Sequence, residues 1–328
     1  MSVDPMSRHI NRRQFALGSA ASLAALGVLP SRIPLASAQG AADFASLGYP
    51  ELAITVTTTG FEGVPESTAA GRYLLKLTSS LPASDTSNSG AIGFMSGTSI
   101  GMSAADLMQF LGGIAGPPEG TPAAGASPAA EEEQGQMLPL EVYQLHFAGG
   151  TYAPAGQTAQ AVLDLVPGEY VVWGDDPSAP QKPTTMTVTG DFPQDVKDPT
   201  ADITATLIDF AITIEGSLTA GKHVIKVQHH GAQPHFLDIE KGPDDMTKDM
   251  VMASFFGEVN GTPAAGGGIA ESDMQPVFFS PTQSIGTVTW QEIELTAGTF
   301  LAACFFPTAG TGMPHAMNGM LEVFKVTG

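Results

Sequence analysis

The residues best able to do chemistry sit at the end of the chain, between Gly298 and Val326. The only cysteine of the protein, Cys304, closes an alternating run, Phe300 to Ala303, that reads as a β-strand. A loop holding Pro307, Gly310, Gly312 and Pro314 follows, then His315, Met320 and a second strand-like run, Leu321 to Val326. A thiolate, an imidazole and a thioether on one strand–loop–strand unit suit a soft metal ion. Copper accepts all three, and a second imidazole would complete a trigonal His₂Cys set with methionine at longer range. That second histidine must come from elsewhere. Four of the seven histidines crowd together upstream: His223, His229, His230 and His235.

The elements that must position these groups are strands. Leu52–Thr57, Gly71–Leu77, Val142–Phe147, Ala161–Leu165, Tyr170–Trp173 and Thr185–Val188 alternate or are β-branched. Short helices are expected at Ser103–Leu111, with Ser103 as N-cap, and at Asp245–Phe256. Gly112–Gln136 is a low-complexity loop and residues 191–202 a linker. The second half repeats the first. Ala220–Val227 lies on Ala70–Leu77, Val288–Leu295 parallels Ala161–Leu165, and Gly298–Cys304 lies on Gly168–Gly174. Many short strands, met twice, predict an all-β chain of two tandem Greek-key β-sandwich domains with short helices in loops. Residues 39–190 form the first and 203–328 the second. Gly174 stands where Cys304 stands, so a metal belongs in the second domain and the first is a degenerate copy without ligands.

The two segments of the second half resemble the cupredoxin family, the blue type 1 copper proteins such as plastocyanin and azurin. The likeness rests on Gly231-Ala232-Gln233-Pro234-His235, on the strand Gly298–Cys304, and on the spacing of five from His315 to Met320. It covers residues 203–328 well and 50–190 only as the degenerate copy. The resemblance implies a single type 1 copper held by His235, Cys304, His315 and Met320, in a tandem two-domain cupredoxin-like fold. Three features depart from the family pattern. Eleven positions separate Cys304 from His315, Phe236 follows His235 where the family often has Asn, and His229 and His230 precede the glycine. Met313 and Met317 are rival axial ligands, but strand–loop spacing favours Met320. A shell of Phe236, Phe305, Phe306, Pro307 and Pro314 would exclude water from the ion. His229 and His230 read as exposed loop residues, with a second or transient metal role as the alternative; His223 and His146 read as structural.

Composition bounds the rest. The chain has 328 residues with Gly 38, Pro 25 and 14% charged residues, which suits strands and turns around a real core. Asn11-Arg12-Arg13-Gln14-Phe15 is a twin-arginine signature, followed by the apolar run Phe15–Leu29 and the small-residue site Ala36-Ser37-Ala38. The apolar run is shorter than the roughly 20 residues a membrane span needs. Export with cleavage after residue 38, to a periplasmic, extracellular or cell-surface location, is the expectation, with Met6 an alternative start. A lone cysteine is unusual in an exported protein, where cysteines mostly pair; it is an intermolecular bridge, a reactive thiol or a metal ligand. Without residues 1–38 the chain holds 9 basic and 32 acidic residues, a formal charge of −23. Such a surface repels nucleic acid and anionic lipid and favours a basic docking surface on a redox partner protein. No Ser-His-Asp arrangement, phosphate loop or zinc cysteine cluster is visible. The leading expectation is a carrier of single electrons, not an enzyme. A copper-binding or interaction module without redox turnover is the alternative. A two-domain copper oxidoreductase is less favoured, because the chain has no His-x-His pair for a further copper centre.

Overall fold

The computed structural model describes residues 44–82, 90–115, 137–175, 181–259 and 268–328. The signal expected in residues 1–38, and residues 116–136 of the low-complexity segment, lie outside the described residues.

The first half contributes β1 (Glu51–Val56), β2 (Phe61–Glu62), β3 (Ser67–Ala69), β4 (Gly71–Ser79), β5 (Gly90–Ser96), β6 (His146–Ala153), β7 (Thr158–Leu165), β8 (Gly168–Trp173) and β9 (Thr184–Thr189). The second contributes β10 (Ile203–Ile208), β11 (Ala211–Gly216), β12 (Gly221–His229), β13 (His235–Gly242), β14 (Gln275–Gln283), β15 (Val288–Leu295), β16 (Gly298–Ala303) and β17 (Leu321–Val326). In the first half one layer is ordered β2-β1-β4-β7 and the other β6-β5-β8-β9-β3. The second half repeats this as β11-β10-β12-β15 and β14-β13-β16-β17. In both, the first strand lies parallel to the strand that follows the hairpin, β1 on β4 and β10 on β12. Successive strands cross between the layers, so each half is a Greek-key β-sandwich.

The two sandwiches meet edge to edge. β7 pairs with β15 and β6 with β14, which makes the layers continuous sheets of eight and nine strands. Ala161 pairs with Gln291, its own counterpart in the repeat, so an approximate two-fold axis passes between them. Pairing these edges removes rows of unsatisfied backbone groups that would otherwise invite aggregation. Residues 191–202 are tied down as well. Arg72 forms a two-pronged pair with Asp164, donates to Lys197 O and Asp198, and lies 4.4 Å over the ring of Trp290.

Period-two alternation decides what faces inward. Along β12, His223, Ile225, Val227 and His229 are buried while their neighbours are not. Ile225 and Val227 join a core with Ile203, Ala205 and Leu207 of β10 and with Phe236, Phe300, Ala302 and Cys304 across the sandwich. β16 is buried on both faces, because Met246 and Val251 pack on Leu301, Ala303 and Leu321 from outside. Val251 belongs to a helix, Lys248–Val259, which overlaps the expected one. The other helix, Ala104–Ala115, starts as expected: Ser103 Oγ accepts from Asp106 N at 3.1 Å while Asp106 accepts from Ser103 N at 3.3 Å. The strand expected at Val142–Phe147 is different. Leu140–Gln144 forms a 3₁₀ turn after Pro139, and the strand begins at His146. Proline's fixed φ pre-organises such a turn.

Candidate metal centre

Cys304 follows β16, and the segment after it is a closed loop. Ala316 N donates to Cys304 O at 2.7 Å, Cys304 N to Met320 O at 3.2 Å, and Met320 N to His315 O at 3.0 Å. Between them, Pro307 and Pro314 form a bridge, and Thr308 N donates to Met313 O at 2.8 Å. The eleven-position gap is therefore a small hairpin projecting from an otherwise tight loop. It leaves His315, at the start of a 3₁₀ turn, back beside the cysteine.

His235 opens β13, next to β16 in the same sheet. Its Nδ1 lies 3.8 Å from Cys304 Sγ and 2.9 Å from His315 Nδ1, and His315 Nδ1 lies 3.8 Å from the same sulfur. These three are the one group of potential ligands of its kind among the described residues, with all ligand atoms within 4.8 Å of one another. A point about 2.1 Å from all three atoms exists in their plane, close to typical metal–nitrogen and slightly under metal–sulfur bond lengths. The donor set fits copper. Met320 is fully buried, in the core that holds Cys304, Phe236 and Phe306. Its rivals are less enclosed: Met313 is 38% exposed and Met317 half-buried.

The electrostatics are those of a dry site. Burial pushes the Cys304 thiol up to about 12, against the backbone N–H groups of Phe306 and Phe236 that favour its thiolate. Burial lowers His315 to about 4, and burial together with the neighbouring imidazoles lowers His235 to about 3. At neutral pH both rings are neutral and able to bind metal, while the thiol keeps its proton until an ion displaces it.

Asp209 and Phe210 carry no signal in the sequence reading, and Gln233 enters it only as part of the Gly231–His235 run. Asp209 Oδ1 lies 3.0 Å from His235 Nε2, and the carboxylate also accepts from Ala232 N and Gln233 N at 3.0 and 3.1 Å. Burial raises this carboxyl, but those N–H groups and His235 hold it below the usual range. Gln233 Oε1 accepts from Ala309 N at 2.7 Å and lies 3.4 Å from His315 Nε2. Phe210 places its ring edge-to-face on His315, 5.5 Å between centroids. Among the described residues it is the one non-glycine at positive φ, 63°, a conformation costing about 1–2 kcal/mol.

His229 is a correction. It is the inward-facing last residue of β12, not an exposed loop residue, and is fully buried. Its ring stacks on His235 at 4.7 Å, and neither nitrogen has a hydrogen-bond partner. It lies outside the ligand triangle. His230 is exposed. His223 bonds Asp202 and Thr219 O, a structural place, and His146 packs edge-on against Tyr170. In the first half, Gly90 opens β5 as His235 opens β13, and Gly174 follows β8 as Cys304 follows β16. Neither offers a ligand.

Gly231 has no room for a side chain. A Cβ there would lie 2.5 Å from both Asp209 Oδ1 and His235 Nε2. Gly231→Ala is expected to push these apart and weaken metal binding about 10- to 100-fold, the usual effect of disturbing a ligand's outer partner. A competitive metal titration of the folded variant checks this; unchanged affinity would mean that the contact is slack.

No family model matches the chain, and no curated protein matches it. Among solved structures it is similar to dithionite-reduced auracyanin from the photosynthetic bacterium Roseiflexus castenholzii, at 17% identity over 38% of this chain and 95% of that one, TM-score 0.26. It is also similar to auracyanin B (16% identity, 38% and 87%, TM-score 0.24). A third is the azurin Az-iso2 from the obligate methylotroph Methylomonas sp. strain J (14% identity, 38% and 96%, TM-score 0.23). At TM-scores this low, none of the three adds to what the site's own geometry says.

Proposed function

We propose that this chain is an exported copper protein that carries single electrons, with one type 1 copper bound by His235, Cys304, His315 and Met320. The observation that carries the reading is the buried triangle of Cys304 Sγ and two imidazole Nδ1 atoms, of a size to hold one ion at bonding distance from all three. Bound copper would supply the one-electron couple. The chain's own residues keep the cost of using it low. Asp209 and Gln233 hold the far nitrogens of the two imidazoles, and the loop hydrogen bonds fix Cys304, His315 and Met320 relative to one another. Ligands that are already placed need little rearrangement when the ion changes charge.

The face over His315 is the region proposed to meet a redox partner. Phe210, whose ring lies on His315, is partly exposed there while His315 itself is fully buried. The acidic chain favours a partner with a basic docking surface, and disfavours nucleic acid. Twin-arginine export to a periplasmic, extracellular or cell-surface location belongs to the same proposal; no helix among the described residues is long and apolar enough to cross a membrane. The first half serves as scaffold. The test is an absorption spectrum and a voltammogram of the copper-loaded protein. An intense thiolate-to-copper band with a reversible one-electron wave is expected. Tight copper binding without a reversible wave would instead point to a copper-holding module, and no copper binding would leave an interaction domain.

A further inference from the structure

We propose that Asp209 is a positioning residue for the metal centre: it selects Nδ1 of His235 as the ligand atom and biases the site toward oxidised copper. The second part rests on the copper reading above; the first does not.

Asp209 belongs to the two-residue turn between β10 and β11, whose flanking residues Ile208 and Ala211 pair. It lies in the opposite sheet from His235, so only the closure of the sandwich brings them together. Its carboxylate is held by three contacts. Ala232 N donates to Oδ2, Gln233 N donates to Oδ1, and His235 Nε2 lies 3.0 Å from Oδ1. Ala232 and Gln233 lie in the loop that leads into His235, so one carboxylate fixes both the loop and the ring it carries. Gly231 makes the close approach possible, since any Cβ there would collide with Oδ1 and Nε2 at once.

Two consequences follow from the chemistry. A carboxylate accepts and does not donate, so Nε2 must carry the ring's proton. Nδ1 is then the bare nitrogen, and it is the atom that faces Cys304 Sγ and His315 Nδ1. The charge acts next. A carboxylate bonded to a ligand imidazole raises that ligand's basicity. A negative group at the outer end of the ring favours the ion with the larger positive charge, so Cu(II) gains over Cu(I). His315 has a different outer partner: its Nε2 faces the neutral amide oxygen of Gln233, at the longer distance of 3.4 Å. The two histidines are therefore tuned unequally, and Asp209 is the charged member.

The experiment has one arm that needs no copper. Long-range ¹H–¹⁵N correlation on the metal-free full chain reads which ring nitrogen of His235 is protonated. Protonation at Nε2 is expected in the unmutated protein, and dominant protonation at Nδ1 overturns the proposal whether or not copper binds. The second arm compares reduction potentials of copper-loaded wild type, Asp209→Asn and Asp209→Glu. Asp209→Asn retains an acceptor but removes the charge. Cu(II) affinity is expected to fall about 10- to 100-fold relative to Cu(I). The potential then rises by about 59 mV for each tenfold. Asp209→Glu restores the charge and is expected to fall back toward the wild-type value. An unchanged potential in a folded Asp209→Asn protein that keeps its charge-transfer band defeats the tuning role. Wild type that shows no band and no wave defeats the copper reading instead, and leaves the nitrogen assignment standing on the first arm.

Discussion

Cys304→Ser, loaded with copper, is expected to show no thiolate-to-copper charge-transfer band and to bind copper far more weakly than the parent. The band belongs to one bond, and the chain has a single cysteine from which it can arise. Serine leaves the shape almost unchanged but offers a hard, protonated oxygen at a buried position where the other proposed donors are two neutral imidazoles and the thioether of Met320. The loss of affinity should exceed the roughly 10- to 100-fold that follows removal of a merely outer partner. A buried hydroxyl without its own partner costs about 1–3 kcal/mol on protein scales, so the variant should still fold. Circular dichroism and thermal unfolding establish that before the spectrum is read. A persistent band in a folded Cys304→Ser protein would remove the assignment altogether.

The second large effect concerns the protein without metal. His235, His315 and His229 are buried neutral, with protonation held down to about 3, 4 and 4 from the ordinary 6.5, in each case first by burial. An unfolded chain takes up protons on these rings near pH 6.5, whereas the folded chain does not until well below pH 5. The unfolded state therefore binds more protons in that window, and stability falls as the pH drops. The contribution is fully present above pH 6.5 and is lost as the pH falls toward about 4. A ring that stays neutral in the folded chain while it is charged in the unfolded one accounts for up to about 1.4 kcal/mol per pH unit. Against a typical total stability of about 5–15 kcal/mol, a measurable share is expected to be lost on acidification below pH 6.5. Denaturant midpoints of the metal-free protein at pH 7.5 and 5 test this. Equal midpoints would mean that the imidazoles are solvated in the free protein. Bound metal should shift the loss to lower pH, because protons must then displace the ion.

Much of this protein is set by local pattern, and local pattern can be read without coordinates. The apolar and aromatic runs Gly71–Leu77 and Gly298–Ala303, each opening on a glycine, mark β4 and β16, although both strands are buried along nearly their whole length. The repeat between the halves follows from one Greek-key plan met twice. Cys304, His315 and Met320 lie within one strand–loop–strand unit, so their proximity is nearly a local property, and His235 is marked by the Pro-His at the mouth of a strand. β5 and β14 are harder to read because Gly90 and Gly93 weaken the strand signal of the first and Pro276 and Pro281 that of the second. His229 was misplaced by two residues of strand length. Counting His223, Ile225, Val227 and His229 along one face would have put it inside.

Tertiary structure alone decided the surroundings of the metal triangle and the joining of the halves. Asp209 and Phe210 precede His235 by some 25 residues and occupy an ordinary-looking turn; they reach the two imidazoles because the sheets close face to face. Likewise, nothing in β7 or β15 announces that Ala161 pairs with Gln291, since any strand edge can pair with any other and only the shape of the assembled sandwiches selects which does. Side-chain type and spacing determine which atoms are able to hold an ion. Long-range closure determines the charge, the proton and the ring plane those atoms are given.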